Sequence, residues 1–308
     1  MITPAYLNPG DTVTLISPAR YMEMTALKNF QDWVEANGWK LKTAPNLGAA
    51  KAQLGGTTNQ RLEDIQWALQ EPSIKAVFCA RGGYGTMQLV SELRKLDFVG
   101  MPKWWVGFSD ICALHFTLNE KGLVSLHGPM AMQFESEEKC SIRSRAQLSA
   151  SLKGESITIK IEDQESDQTP FWVHQTRAYG DRFTAPLWGG NLSMIYAMLA
   201  SGSTPPKEPF ILFLEDLDEY VYHIDRMMQA LNLSGVLQQA VAVLVGSMCD
   251  MHDNAVPFGK NAKEIILDFC KYYNKPLIWG LPCGHESENI ALKLGLDITF
   301  DTHYLIQN

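Results

Sequence analysis

Short apolar runs alternate with helix-periodic segments through the first half of this 308-residue chain, and that alternation restricts its fold more than any single motif. Val13–Ser17 reads as a buried strand, and Thr25–Asn37 as an amphipathic helix stopped at Gly38. A second helix is expected over Gln60–Gln70, followed by a strand at Lys75–Ala80. The turn Arg81-Gly82-Gly83-Tyr84-Gly85 comes next, then a helix to about Leu96. Trp104–Phe108 is a further strand that turns at Ser109 into a helix ending near Glu120 and Gly122. Repeated β–turn–α units of this length imply a parallel sheet with helices on both faces. Such sheets bind ligands beyond the carboxyl ends of their strands. Both the Gly-rich turn and Ser109 fall at that edge.

The chain is about twice the length of a typical domain, so two domains are expected. The polar stretch from Glu155 to about Thr169 is the linker candidate, which places an N-terminal domain at 1–160 and a second at 161–308. The second half reads as a strand at Phe171–Thr176, a Gly189-Gly190-Asn191 turn opening a helix, and a strong strand at Phe210–Leu214. A helix at Tyr222–Leu231, strands at Ala242–Val245 and Pro276–Leu281, and an intervening helix at Ala262–Tyr273 complete it. Hydrophobic residues at 46% and charged residues at 19% suit a well-buried globular protein. A net charge of −8 argues against sequence-independent binding to nucleic acid. None of the six cysteines forms a C-x-x-C pair, and several sit in apolar runs, as expected of reduced thiols in the cytoplasm. The N-terminal segment has neither a basic start nor an apolar core, and no uncharged apolar run reaches the roughly 20 residues a bilayer requires. The expectation is a soluble, cytoplasmic protein without a membrane partner.

Four local features carry possible chemistry. Ser109, in G-F-S-D-I, ends a strand and starts a helix. The hydroxyl is then held on a sharp turn, with the N–H of Asp110 at the positive end of the helix. The same position suits a simple N-cap. The adjacent glycines of R-G-G-Y-G allow backbone amides to approach an anion, or merely make a tight connection. The turn matches neither nucleotide-binding glycine pattern. Glu215 and Asp216 follow an apolar run, where a carboxylate can orient an imidazole or simply face solvent. His285 follows Gly284 at a strand end, open enough for a general base and equally consistent with a surface residue. His127 lacks an evident acid partner, and the remaining histidines show no metal-ligand spacing.

Taken in order, G-D-T-V-T-L-I-S-P at 10–18, R-G-G-Y-G at 81–85, G-F-S-D at 107–110, G-G-N-L-S at 189–193, L-E-D at 214–216, I-D-R-M at 224–227 and G-H at 284–285 resemble the LD-carboxypeptidase family over nearly the whole chain. The resemblance implies a flavodoxin-like parallel-sheet N-terminal domain and a smaller β-rich α/β C-terminal domain, with the active site at their interface. It also implies a Ser109–Glu215–His285 triad, oxyanion donors at the backbone N–H of Asp110 and Gly83, no metal or cofactor, and a homodimer. The substrate it implies is a small cell-wall peptide that loses a terminal D-alanine. Some members instead resemble microcin C self-immunity peptidases, which cut an aminoacyl-nucleotide amide. Recognition of a terminal carboxylate calls for a guanidinium or a helix N-terminus, and Arg81, with Gly82, is the candidate contact, though Arg81 equally suits a brace for the glycine turn. Two departures from the family stand out: Phe108 where Tyr is frequent, and Arg20 in S-P-A-R where small hydroxylated residues are frequent. Arg20 could touch substrate or be solvated, and solvation is the expectation.

Overall fold

The computed structural model describes residues 1–166, 169–176, 182–301 and 303–308. The chain divides into two compact units, Met1–Glu155 with Ser287–Gly295, and Ser156–Glu286 with Leu296–Asn308. The expected cut at 160 thus moves to 155, and a segment of the second half returns to the first unit.

The first unit is built on strands β1 (Thr12–Ile16), β2 (Lys40–Thr43), β3 (Ile74–Cys79), β4 (Trp104–Gly107) and β5 (Ser125–His127). All neighbouring pairs among these five are parallel, in the order β5-β4-β3-β1-β2. This is the doubly wound order whose switch point lies between β1 and β3. The helices Leu27–Ala36, Thr58–Gln70 and Cys112–Glu120 make the crossovers that parallel pairing demands. Thr57 starts the second of them with a capping box to Gln60, the local signal that fixes where this helix begins. Trp105, Phe98, Val77, Ile65 and Leu114 belong to one fully buried cluster of the unit.

The second unit begins with β6 (Ile157–Lys160), inside the stretch expected to be a linker. Ile157 and Ile159 are buried and Thr158 and Lys160 exposed, a period-2 pattern too short to stand out among the surrounding charges. The remainder of that linker is partly covered, since residues 167–168 lie outside the described residues. Then come β7 (Phe171–His174), β8 (Arg182–Asn191), β9 (Phe210–Leu217), β10 (Ala240–Cys249) and β11 (Leu277–Trp279). The chain next forms β12 (Leu292–Leu294), which pairs antiparallel with β5 and completes the first unit's sheet. It returns for β13 (Asp297–Asp301) and β14 (Tyr304–Gln307). The second sheet runs β6-β14-β13-β8-β9-β10-β11-β7, with β8 to β11 parallel and the flanking strands antiparallel. Gly189-Gly190-Asn191 is not a turn but the end of β8, paired with Phe213-Leu214-Glu215. No helix among the described residues is long and apolar enough to cross a membrane.

Candidate active site

In the first unit, the chain leaves β4 at Gly107 and turns into a 3-10 segment, Ser109–Ile111, that leads into helix Cys112–Glu120. Ser109 lies inside this segment, with Phe108 in the flanking position, so the serine does not serve as its N-cap. Its φ is +61°, the left-handed region that an L-residue occupies only when the surroundings impose it. The Asp110 amide, in the first turn, has no intrahelical acceptor.

The glycine turn lies directly against this corner. A Cβ placed on Gly82 would fall 3.3 Å from Ser109 Cβ and 3.2 Å from Met130 Cε. The Gly82 carbonyl accepts from Arg20 N at 3.4 Å. In a trans peptide the next N–H, that of Gly83, points the opposite way. Gly83 has φ +97°.

Two buried charges hold the turn in place. Arg61, 1% exposed, donates through Nη1 to the carbonyls of Pro18 and Gly85, both at 2.8 Å, and through Nη2 to Gln88 Oε1 at 2.7 Å. Burial pulls its pKa down, against the nearby charge of Asp110. The Asp110 carboxylate, also buried, accepts from Thr86 N at 2.8 Å. Burial raises its pKa, and the hydrogen bonds from Thr86 and Gly85 oppose that rise. Sequence reasoning missed Arg61, since an arginine in the first turns of a helix ordinarily faces solvent. Arg81 is half-buried and makes no ion pair among the described residues. Arg20 is half-buried rather than solvated, because its stem packs on Gly83.

In the second unit, Glu215 and Asp216 lie within β9, not after it, and are 0% and 2% exposed. The solvated-acid alternative is thereby excluded. Glu215 Oε2 accepts from His285 Nδ1 at 2.8 Å. His285 also donates its backbone N–H to Ser247 Oγ at 2.8 Å. Ser247 sits where β10 shifts register against β9, between Val245 and Met248, and the irregularity turns its hydroxyl toward the histidine loop. The interruption of an apolar strand by Gly246-Ser247 was the sequence signal for this residue. Gly284 permits the arrangement: its φ is +133°, and a Cβ there would lie 2.1 Å from Ser247 Oγ and 3.1 Å from Glu215 Oε2.

Burial pulls the His285 pKa down, but the charge and hydrogen bond of Glu215, with the charge of Asp216, outweigh it and leave the pKa raised. Asp216 is pushed up to about 7 by burial and by the neighbouring Glu215 charge. It accepts from Asn191 Nδ2 at 2.9 Å and Ser193 N at 2.8 Å. Asn191 meanwhile caps helix Leu192–Ala200 through Met194 N.

A strained serine at a strand–helix corner beside a glycine turn, and a buried carboxylate–histidine pair, are the parts of a nucleophilic hydrolase. The model for the LD-carboxypeptidase N-terminal domain matches residues 13–128, and that for the LD-carboxypeptidase C-terminal domain matches residues 184–300. The murein tetrapeptide carboxypeptidase of Pseudomonas aeruginosa is 31% identical over 92% of this chain and 91% of its own. A probable murein peptide carboxypeptidase of Bacillus subtilis is 29% identical over 97% and 91%. Among solved structures, the microcin C7 self-immunity protein MccF superposes with a TM-score of 0.84 at 20% identity, covering 100% of this chain and 99% of that one. The E. coli protein of that name is 22% identical over 96% and 92%. The chain belongs to the LD-carboxypeptidase family and is a serine-type peptidase.

Proposed function

We propose that this peptidase hydrolyses the amide joining an L-configured centre to the terminal D-alanine of a murein tetrapeptide. The observation that carries the reading is the Glu215–His285 bond at 2.8 Å with the carboxylate wholly buried. Because Nδ1–H donates to Glu215, the basic lone pair belongs to Nε2, the nitrogen available to a substrate-side proton. In the proposed mechanism, Ser109 Oγ attacks the scissile carbonyl as its proton passes to His285 Nε2. The oxyanion takes hydrogen bonds from the N–H of Asp110 and Gly83. The C–N bond then breaks as His285 returns the proton to the departing amine. Water attacks the resulting ester by the same route in reverse. Ser109 belongs to one unit, and Glu215 and His285 to the other. No step calls for a metal, and activity should persist in EDTA.

The test is release of D-alanine from murein tetrapeptide, followed by mass spectrometry. Ser109→Ala should lower turnover on the order of 10⁴-fold or more without changing the melting temperature. A fluorophosphonate should label Ser109 in the wild type and not in His285→Ala. Unchanged turnover in Ser109→Ala would rule the nucleophile out.

The match to MccF supports a second reading, cleavage of an aminoacyl-nucleotide amide. It uses the same three side chains. Parallel incubation with tetrapeptide and with an aminoacyl sulfamoyl adenosine separates the two by which substrate is held or consumed.

A further inference from the structure

We propose that Arg20 receives the free terminal carboxylate of the substrate, an inference that rests on the carboxypeptidase reading. The first observation is an unsatisfied donor: Arg20 Nε is closed to solvent and has no hydrogen-bond partner among the described residues. Buried guanidinium nitrogens are ordinarily paired, so an orphan calls for an acceptor that the protein itself does not supply. The second is position. A Cβ on Gly83 would lie 2.6 Å from Arg20 Cδ and 2.8 Å from Arg20 Nε, so the guanidinium stem covers the peptide expected to bind the oxyanion. Gly82, in turn, lies against Ser109. Arg20 and the nucleophile therefore flank the same glycine pair.

The third observation is rigidity. The backbone of Arg20 is fixed on both sides: its N–H bonds Gly82 O, it forms a bridge with Leu54, and the preceding carbonyl of Ala19 accepts from Gly55 N at 2.9 Å. The residue follows β1, and the glycine turn follows β3, so the two flank the switch point where doubly wound sheets bind their ligands. In an exopeptidase, the carboxylate to be recognised is one residue from the scissile carbonyl. A cation one glycine away from the oxyanion donors is at the right remove. Arg81 was the residue expected in this role, but none of its nitrogens is a buried donor without a partner, and the three atoms nearest a Cβ on Gly83 all belong to Arg20.

The experiment compares murein tetrapeptide ending in free D-alanine with the same peptide ending in D-alaninamide. The wild type should favour the free acid. Arg20→Ala should lower kcat/KM for the acid about 10- to 100-fold, chiefly through KM, and lower it for the amide by a clearly smaller factor, so that the preference for the free acid collapses. Arg20→Lys should recover part of the loss, and Arg20→Gln, of similar bulk, should not. Melting curves of each variant register any loss of folded enzyme. An equal fall on acid and amide would reduce Arg20 to a brace for Gly83 and overturn the proposal. So would a wild type indifferent to the terminal group, or collapse of the preference in Arg81→Ala alone, with the peptidase reading left standing. A wild type that releases D-alanine or D-alaninamide from neither peptide would overturn that reading and this proposal with it.

Discussion

His285 is pulled down by burial and pushed up by Glu215 and Asp216, and the carboxylates win. The imidazole must be neutral to accept the Ser109 proton, so a raised pKa delays the rise of activity with pH. The acid limb of kcat/KM should therefore fall above pH 6.5, the ordinary histidine value. Glu215→Gln should move that limb downward and cut kcat by about 10⁴-fold, since the amide cannot favour the protonated imidazole. A pH–rate profile with its limb unmoved in that variant would contradict the pairing. The same shift contributes to folding. A histidine whose folded pKa is raised stabilises the protein fully below about pH 6.5, and that contribution disappears as pH climbs through the folded value. At Gly284 the constraint is steric. Gly284→Ala places a methyl group on Ser247 Oγ and adds left-handed strain, and should destabilise by roughly 2–4 kcal/mol while abolishing turnover. Ser247→Ala in the same chain should recover part of the melting temperature, because it removes the atom that is struck.

At the scale of elements, two buried acids bind neighbouring pieces of backbone together. Asp110 joins the corner after β4 to the turn after β3 through Thr86 N, and Arg61, from helix Thr58–Gln70, ties that turn to Pro18 through the carbonyls of Gly85 and Pro18. Asp216 joins β9 to the start of helix Leu192–Ala200, through Asn191 Nδ2 and Ser193 N. Asp216→Ala leaves these donors without an acceptor and should destabilise the protein by about 2–4 kcal/mol in chemical denaturation. The β–turn–α alternation of the first half was legible because β1, β3 and β4 are short, almost wholly buried runs separated by helix-periodic segments, whereas β2, Lys-Leu-Lys-Thr and mostly exposed, carries no apolar run and was not expected. The expected strands at Val13–Ser17, Lys75–Ala80 and Trp104–Phe108 differ from β1, β3 and β4 by a residue or so at each end. Elements of the second half were harder. β8 was missed because its Gly189-Gly190 reads as punctuation, although the strand continues through both residues. The extent of β9 was underestimated because Glu215 and Asp216 break the hydrophobic run, yet both are inside the sheet.

On the scale of the whole molecule, the return of residues 287–295 makes the first unit discontinuous. β12 covers the edge of β5, and Asn289 N donates to Ser144 Oγ at 2.8 Å. A fragment 1–155 would expose the β5 edge and leave that site unfilled. It should aggregate or melt without cooperativity, whereas 1–155 joined by a flexible linker to 287–295 should give a single sharp transition by calorimetry. Equal behaviour of the two fragments would show that the returning segment is dispensable. Local patterns determined much of this protein: strand and helix alternation, the glycine turn and the strand-end serine all depend on residues adjacent in the chain. Tertiary structure alone decided that Glu215 is buried against His285, that Ser247 steadies the histidine loop, and that Arg61 and Arg20 turn inward. Those outcomes depend on which distant backbone comes within about 3 Å of a side chain, and charge burial is worth its desolvation only when such a partner is present.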